Sequence, residues 1–389
     1  MSATNQCIIE EFLIHSDRRK EGEKPFDLTP FIAAVDYYED IFSPCVTLKV
    51  LVINEAQVVT EDEEDTESTD DKLKALYNAL PIRGGEICRI KIGANVETNI
   101  PLDFSEKAQD YMYVTGITGV TRDAKREMFT LNLTSREAIV NETVRCYKKY
   151  SPDQNIGASV ENILTDTLGI DKDRFSVEMA ANSYGFIGNL KKPFPTIVWL
   201  AKKSVSASTG GGSAGFLFFQ TKTGYKFKSV DTLMRQETYK LTSNSGEKLK
   251  APPFYYGEAT QGFDENDRPV NTDFKILSFS ILQNNDIVKN LKLGTYSSTG
   301  MYFNPYNFEF ETLHYKRKDE IKKDNMSLMG SEDPTRYPLK LDPDNKTGSE
   351  DTIEDTATRS LTGILDIGVL ARRDTNHLKK SNPLKFQMQ

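Results

Sequence analysis

The chain has 389 residues, of which 38% are hydrophobic and 27% are charged, and its formal net charge is −8. This length accommodates two to four domains with cores of their own, since domains usually hold roughly 100–200 residues. The acidic balance disfavours a general polyanion-binding role, and the sequence has neither a run near ~18 apolar residues nor a secretory signal pattern, so we expect no membrane insertion and no export.

The first 60 residues contain two apolar runs with the pattern of β-strands. CIIEEFLIH covers residues 7–15, and CVTLKVLVI covers residues 45–53. Alternation in the second run places four apolar residues on one face, namely Val46, Leu48, Val50 and Val52. Between the two runs, DLTPFIAAVDYYEDIFSP predicts a short strand followed by a turn.

Residues 61–71, EDEEDTESTDD, carry eight carboxylates and no apolar side chain. Mutual repulsion and the lack of anything to bury predict a solvated loop or a flexible contact arm. Calcium binding is the alternative. An EF-hand loop, however, needs a central glycine and a bidentate glutamate at fixed spacing, and this segment has neither.

The next 60 residues predict a short helix at 72–79 and then further strands. Gly84 and Gly85 mark a turn into a strand in which Ile90 and Ile92 alternate with polar residues. Strands at 111–120 and 128–133, joined by the charged turn 122–126, form a predicted β-hairpin. Four to six short antiparallel strands within about 130 residues favour a small barrel or a curled sheet, because closure hides strand edges.

Three helices are predicted after this sheet. The first begins at Thr134–Glu137, where a polar cap precedes a carboxylate. The second covers 159–168 and is ended by Gly169, with an apolar stripe formed by Val160, Ile163, Leu164 and Leu168. The third starts at Pro195 and Thr196 and carries Ile197, Val198, Leu200 and the sole tryptophan, Trp199.

The segment SASTGGGSAGFLFFQTKTGYKF, residues 206–227, satisfies two active-site patterns at once. Gly210, Gly212 and Gly215 fit the dinucleotide fingerprint G-x-G-x-x-G, and Gly211, Ser213 and Gly215 fit the nucleophile elbow G-x-S-x-G. Both motifs require a strand before the glycines and a helix after them. Here a helix precedes the glycines and an aromatic hairpin around Gly224 follows, so we predict only a flexible loop.

No other catalytic, cofactor-binding or metal-binding residues are predicted. The three histidines, His15, His314 and His377, lie in segments unlike catalytic loops, and no Walker A or H-E-x-x-H motif occurs. The four cysteines, Cys7, Cys45, Cys88 and Cys146, form no C-x-x-C pair and are expected to be reduced and buried. An acid and nucleophile pair cannot be chosen among 57 acidic residues without geometry, so a cell-wall glycan hydrolase stays open.

A receptor-binding or carbohydrate-binding module is a further alternative. Tyr255, Tyr256 and Tyr296 would suit it if they were exposed. Aromatic clusters are more often part of a core, because their large apolar surface favours burial.

Three segments together resemble the hub proteins of contractile phage tails. In FPTIVWLAKKS…AGFLFFQTKTGYKFKSVDTL, the matching residues are Ile197, Trp199, Leu200, Gly215, Phe216, Phe218, Gly224, Phe227, Ser229, Asp231 and Leu233. Upstream, FTLNLTSREAIVNE is similar to the end of the family's first barrel. Downstream, residues 274–311 resemble a contractile-phage branch, with the N-D-I-x-x-N-L-x-x-G-x-Y-S pattern at 285–297.

The resemblance implies an α+β fold in which small antiparallel β-barrel hub domains hold an inserted α/β domain. It also implies a structural role without chemistry in the virion, in a tail baseplate assembled in the host cytoplasm. The hub would be a homotrimer whose pseudo-sixfold ring joins the tail tube protein above to the spike protein below, beside baseplate wedge proteins. DNA would pass through its channel without being specifically bound. Related domains form the hub part of type VI secretion spike proteins.

The predicted domain order has five parts. Residues 1–140 form the first barrel with the acidic loop 60–71, residues 141–245 an α+β domain, and residues 246–329 a further α+β segment. Residues 330–360 are polar and rich in Pro and Asp, which predicts an extended linker. Residues 361–389 are expected to begin a second barrel or to form a C-terminal extension, with Leu361, Leu365 and Leu370 on a helix or strand. The family's later barrel strands are not recognisable, so we expect a barrel that is truncated or completed differently.

Overall fold

A computed structural model describes residues 8–16, 25–54, 82–93, 102–107, 110–122, 126–207, 215–234, 240–242, 248–250, 280, 286–294, 297–304, 308–316 and 359–364. The predictions for the acidic segment 61–71, the helix 72–79 and the glycines 210–212 fall outside these residues. So do Ser213, Tyr255, Tyr256, Tyr296, His377, nearly all of the linker 330–360 and the chain after residue 364.

The described elements are mainly strands. In chain order they are β1 Ile8–His15, β2 Phe26–Asp27, β3 Ile32–Tyr38, β4 Thr47–Asn54, β5 Ile87–Gly93, β6 Leu102–Asp103, β7 Met112–Arg122, β8 Glu127–Ser135, α1 Arg136–Thr143, β9 Lys149–Tyr150, α2 Ile156–Asn162, β10 Phe175–Val177, β11 Phe186–Ile187, α3 Pro193–Ala201, β12 Phe216–Thr221, β13 Gly224–Ser229, α4 Val230–Met234, β14 Lys240–Thr242, β15 Lys248–Lys250, α5 Ile287–Leu293, β16 Ser297–Asn304, β17 Glu309–Lys316 and β18 Arg359–Ile364. None of the helices in the described ranges combines the length and the apolar character that crossing a bilayer requires.

The contacts divide the chain into two units. Unit 1 comprises Met1–Glu142, Gln220–Lys222 and Glu237–Phe279, and unit 2 comprises Thr143–Phe219, Thr223–Gln236 and Ser280–Gln389.

Unit 1 is built on an eight-stranded sheet with the order β2-β1-β5-β7-β8-β4-β3, in which β6 pairs with β5. Every strand pairing in it among the described residues is antiparallel. Side chains of successive strand residues point to opposite faces. The apolar residues therefore collect on one face, where the core comprises Phe12, Ile14, Leu48, Val50, Val52, Cys88, Ile90, Ile92, Met112, Val114, Phe129, Leu131 and Leu133.

These elements confirm the strands and the hairpin that alternation predicted, including the shared face of Val46, Leu48, Val50 and Val52. The hairpin extends further than predicted, to Arg122 and from Glu127. The barrel itself is not confirmed: in the described residues the pairing order ends at β2 and at β3 without a bond that closes it. The pattern of a single strand specifies which face is buried, whereas closure depends on which edges meet.

The turn before β5 needs glycines, as predicted. Gly84 and Gly85 have φ of 104° and 92°, a region that side chains with a Cβ rarely occupy. The buried Glu86 carboxylate fixes this turn, because it accepts hydrogen bonds from the backbone N–H groups of Arg83 at 2.7 Å and Gly84 at 2.8 Å.

Unit 2 contains a three-stranded sheet with the order β10-β13-β12, in which β10 is parallel to β13. The predicted helices are present. The second begins at Ile156, three residues before its predicted start, and continues as a π-helix over Ile163–Thr167, and Gly169 follows it with φ of 66°. The third begins at Pro193, two residues early, since proline is well accommodated in a first helical turn.

A second three-stranded sheet in unit 2 has the order β17-β16-β18. Strand β16 is antiparallel to β17 and parallel to β18. Leu361 thus lies in a strand, one of the two predicted alternatives.

The aromatic core of unit 2 leads to a stability prediction. The ring of Phe218 is 3% exposed and lies 5.7 Å from that of Phe194 and 5.9 Å from that of Tyr225, measured between ring centroids. Phe218→Ala should lower the free energy of unfolding of unit 2 by about 3–5 kcal/mol, because it leaves a cavity in a packed core. Urea unfolding followed by the fluorescence of Trp199, the sole tryptophan, measures this unit. The control is Leu217→Ala, which removes a half-buried neighbour and should cost clearly less; equal costs would contradict the packing described.

Candidate assembly surface

The described end of the glycine loop has no active-site geometry. Gly215 leads into strand β12, and its carbonyl accepts a hydrogen bond from the N–H of Val230 at 2.8 Å. Upstream, Ser206 bridges to Ala180 after helix α3. A dinucleotide site and a nucleophile elbow both need the opposite order, strand then helix. The prediction that a hairpin follows the loop is confirmed.

Several residues of the central segment of the family resemblance, 194–233, lie in the packed interior of unit 2. Ile197, Leu200 and Phe227 are fully buried, and Phe216 packs on Phe227 with ring centroids 5.0 Å apart. At Gly224, where φ is 103°, an added Cβ would lie 2.0 Å from the carbonyl oxygen of Arg174. Only glycine fits this approach of two backbones, so this part of the motif is explained by packing.

Ser229 and Glu178 connect two distant parts of unit 2. The Glu178 carboxylate accepts hydrogen bonds from Ser229 Oγ at 2.7 Å and from its N–H at 2.9 Å. The Ser229 Oγ also accepts from the Thr232 N–H at 3.1 Å and thereby caps α4. The hydroxyl is fully buried, so it serves the fold.

The titratable side chains of the described residues do not form a cluster of the kind that binds a metal ion. No group of three His, Cys, Asp or Glu in those ranges could hold a metal ion. Burial raises the pKa of the Cys88 thiol and that of Cys146, which keeps both protonated. Burial, and then the charge of Arg89, lowers the pKa of His15. His314 contacts Thr299, with 3.0 Å between Nδ1 and Oγ1, and both side chains lie on the paired strands β16 and β17.

The outer edge of the unit 1 sheet is the strongest candidate for an interaction surface. Strand β3 is last in the pairing order, so its outer side has no neighbouring strand among the described residues. Unpaired edges invite another chain to add to the sheet. Tyr38, at the end of β3, is 47% exposed, and the Lys49 ammonium lies 5.6 Å from the centroid of its ring.

The loop between β3 and β4 displays apolar side chains on a hydrogen-bonded frame. Ile41 is 48% and Phe42 76% exposed. Asp40 holds the loop: its carboxylate accepts from the Phe42 N–H at 2.8 Å, and its carbonyl accepts from the Ser43 N–H at 3.0 Å. Ser43 Oγ donates to the carbonyl of Cys45 at 2.9 Å. A preorganised loop loses less entropy on binding, which favours contact with a partner.

Glu39 holds the strand end that leads into this loop. Its carboxylate accepts hydrogen bonds from the Tyr37 hydroxyl at 2.7 Å and from the N–H of Lys222, a residue of the same unit, at 2.5 Å. Burial, followed by this contact with Glu39, raises the pKa of Tyr37 well above its usual range. Burial lowers the pKa of Lys222.

Sequence reasoning placed a turn here but missed the exposed pair. The available signal was EDIFSP, in which two large apolar residues stand between an aspartate and Ser-Pro, inside a turn. Such residues gain nothing from the turn itself, and two adjacent ones enlarge the apolar surface that is left in solvent. Edge strand and loop together can bind another protein surface, and this arrangement has no evident chemistry.

Comparison with solved structures finds tail proteins. Three of the matches are a 43 kDa tail protein of prophage MuSo2 from Shewanella oneidensis (12% identity, TM-score 0.36, covering 56% of this chain and 53% of that chain), a tail protein from Neisseria meningitidis (8%, 0.40, 95% and 76%), and a type VI secretion component from E. coli described as similar to bacteriophage T4 tail proteins (11%, 0.27, 57% and 46%). The chain spans about half of the Shewanella and E. coli proteins. No protein-family model matches the sequence, and a search of curated proteins finds no match.

These neighbours belong to the classes that the sequence resemblance names. All three TM-scores lie below 0.5.

The frame of the β3–β4 loop can be tested directly. Asp40→Ala removes the acceptor for the Phe42 N–H, and the exchange of that amide should accelerate by about tenfold, the loss expected for one hydrogen bond to a charged group. Hydrogen exchange measured by NMR reports it. Asp36→Ala, which removes an exposed carboxylate from β3, should leave the Phe42 amide unchanged; a similar acceleration in both variants would refute the role of Asp40.

Proposed function

We propose that this protein is a structural hub of a contractile phage tail baseplate, a homotrimer whose pseudo-sixfold ring joins the tail tube to the central spike. The sequence resemblance over residues 194–233 and its two flanking segments supports this proposal. The proposal keeps the predicted domain order, with residues 1–140 as a barrel-like hub domain and residues 141–245 as the domain that follows it.

The observation that carries the proposal is the edge of the unit 1 sheet. In the described part of the chain no strand pairs with the outer side of β3, and this edge and a fixed loop with a 76% exposed Phe42 make a surface whose apolar area is left in solvent. A soluble monomer gains nothing from such a surface, whereas a subunit of a ring buries it. Ring assemblies use large interfaces that are more apolar than the ordinary protein surface.

The interior of unit 2 supports a role without catalysis. The buried motif residues pack the core, Gly224 closes a turn and Ser229 caps a helix, and these tasks account for their chemistry without a reactant. The other expected properties follow the resemblance: the tail tube protein above, the spike below, wedge proteins beside the ring, and a channel for DNA. A net charge of −8 suits a channel from which phosphate must not be retained.

Replacing Phe42 tests the proposed interface. The full-length protein should form trimers, alone or with its spike protein, when measured by size-exclusion chromatography with light scattering. Phe42→Asp should weaken association by about 100-fold or more, because it removes a buried aromatic ring and introduces an unpaired charge.

Val120→Asp is the matched control, since Val120 is 45% exposed in the same unit. Tyr38 pairs with Thr47 at one end of β4. At the other end Asn54 pairs with Glu127, which pairs with Arg122 near Val120, so the two positions lie about 25 Å apart by strand length. Assembly of Phe42→Asp like the wild type would remove the loop from the interface. A wild-type chain that stays monomeric with both spike and tube proteins would refute the hub. Peptidoglycan turnover that is lost on a carboxylate-to-amide change would favour a hydrolase.

A further inference from the structure

Unit 2 contains a small ribbon, formed by β9 and β11, that differs from the rest of the unit. Phe186 lies opposite Tyr150, and Ile187 lies opposite Lys149. The pairing continues through an isolated bridge between Cys146 and Lys191. Gly188 makes this continuation possible, because a Cβ there would lie 2.4 Å from the carbonyl oxygen of Cys146.

One face of the ribbon is held by aromatic rings. Phe186 stacks on Tyr150 with centroids 4.3 Å apart, and its ring meets that of Trp199 edge-on at 5.5 Å. Tyr184 contacts the same tryptophan at 5.4 Å. These contacts anchor the ribbon on helix α3 and leave its other face unused.

The other face and the turn of the ribbon expose three large apolar side chains. Tyr147 is 73%, Ile187 62% and Leu190 67% exposed. The backbone of Leu190 lies next to the peptide that joins Cys146 and Tyr147, because its N–H donates to the carbonyl of Cys146 at 2.9 Å. We call these three residues the apolar strip.

The turn that presents Leu190 is strained. Asn189 and Leu190 have φ of 52° and 55°, and the Lys191 N–H closes the turn on the carbonyl of Gly188 at 3.1 Å. Two successive residues with positive φ are typical of a type I′ turn, where the second is usually glycine. A leucine is disfavoured there by its Cβ. Strain of this kind that also holds an apolar side chain in solvent indicates a functional constraint.

The strip lies in a cationic setting within an acidic chain. Residues 144–150 and 186–192 contain Arg145, Lys148, Lys149, Lys191 and Lys192 and no carboxylate, although the whole chain has a net charge of −8. Lys148 is paired with Asp166 at 2.7 Å, and the Lys191 ammonium lies 5.6 Å from the centroid of the Trp199 ring, on the aromatic side of the ribbon. Lys149, directly opposite Ile187, is exposed and forms no ion pair within the described part of the chain.

We propose that the apolar strip and Lys149 form a docking site for an acidic protein segment, one that carries carboxylates beside apolar side chains. The charges of the site select the carboxylates, and the strip supplies the apolar contact. The strained turn holds Leu190 in the bound position in advance, so that binding does not have to order it. The site belongs to unit 2 alone and does not depend on the proposed trimer.

A fluorescein-labelled synthetic peptide of alternating Glu and Leu, added to the full-length protein, serves as the probe in fluorescence anisotropy. Two further peptides replace every Glu by Gln or every Leu by Ser. The first peptide should bind at least about tenfold more tightly than either of these, since both charge and apolar contact contribute. If the Ser peptide bound equally well, binding would depend on charge alone and not on the apolar strip, which would overturn the proposal. Equal binding of the Gln peptide would overturn the choice of an acidic partner.

Leu190→Gly distinguishes this site from a structural turn. Glycine accepts the positive φ, so the unfolding midpoint read from Trp199 should stay the same or rise, while affinity for the Glu-Leu peptide falls by about tenfold. A lower midpoint with unchanged affinity would show that Leu190 serves the fold and overturn the proposal. Lys149→Glu should also weaken binding by about tenfold. Lys172→Glu, the same change at an exposed position elsewhere in unit 2, should not.

Discussion

An antiparallel sheet buries one face readily, but the outward N–H and C=O groups of its edge strand have no partner strand within the sheet. In unit 1 the apolar residues of β1, β4, β5, β7 and β8 all lie on one side of the sheet. Their burial from water stabilises the sheet. The same arrangement leaves β3 with a row of outward backbone groups that no strand among the described residues pairs with, since β4 lies on its other side. The fixed loop that follows, with Ile41 and Phe42 in solvent, is located at this unsatisfied edge. The proposed assembly would therefore cover the edge of the sheet that the fold itself leaves without a partner strand.

Much of the fold was predictable because the signals are local. Alternation of apolar and polar residues specifies the buried face of a strand, and it did so for Val46, Leu48, Val50 and Val52. Glycine signals also held at Gly84, Gly85 and Gly169, each of which has positive φ. The starts of the second and third helices were placed three and two residues late. The first turn of a helix makes few of its own hydrogen bonds and depends on caps such as Asn155, whose Oδ1 accepts from the Gly157 N–H.

The features that could not be predicted depend on residues far apart in sequence. The sequence near Ser229 does not predict its contact with Glu178, 51 residues earlier, yet this pair fixes the start of α4. The need for glycine at 224 comes from the backbone of Arg174. The conformation of Leu190 is still harder to predict. Leucine strongly prefers negative φ, whereas Leu190 has φ of 55°. Both candidate surfaces were missed for this reason: exposure of an apolar side chain is a property of the folded neighbourhood.

The glycine segment shows why a motif needs its context. Five residues between 210 and 215 satisfied two well-known patterns. The elements around them disfavoured both, because phosphate binding uses the free N–H groups at the start of a helix. Strand β12 follows Gly215 and offers no such end. The same reasoning applies to the apolar strip: exposed leucine, isoleucine and tyrosine are ordinary one at a time. Here one short ribbon combines three features: packing on aromatic rings, a strained turn and neighbouring basic residues. The combination of the three favours a binding partner.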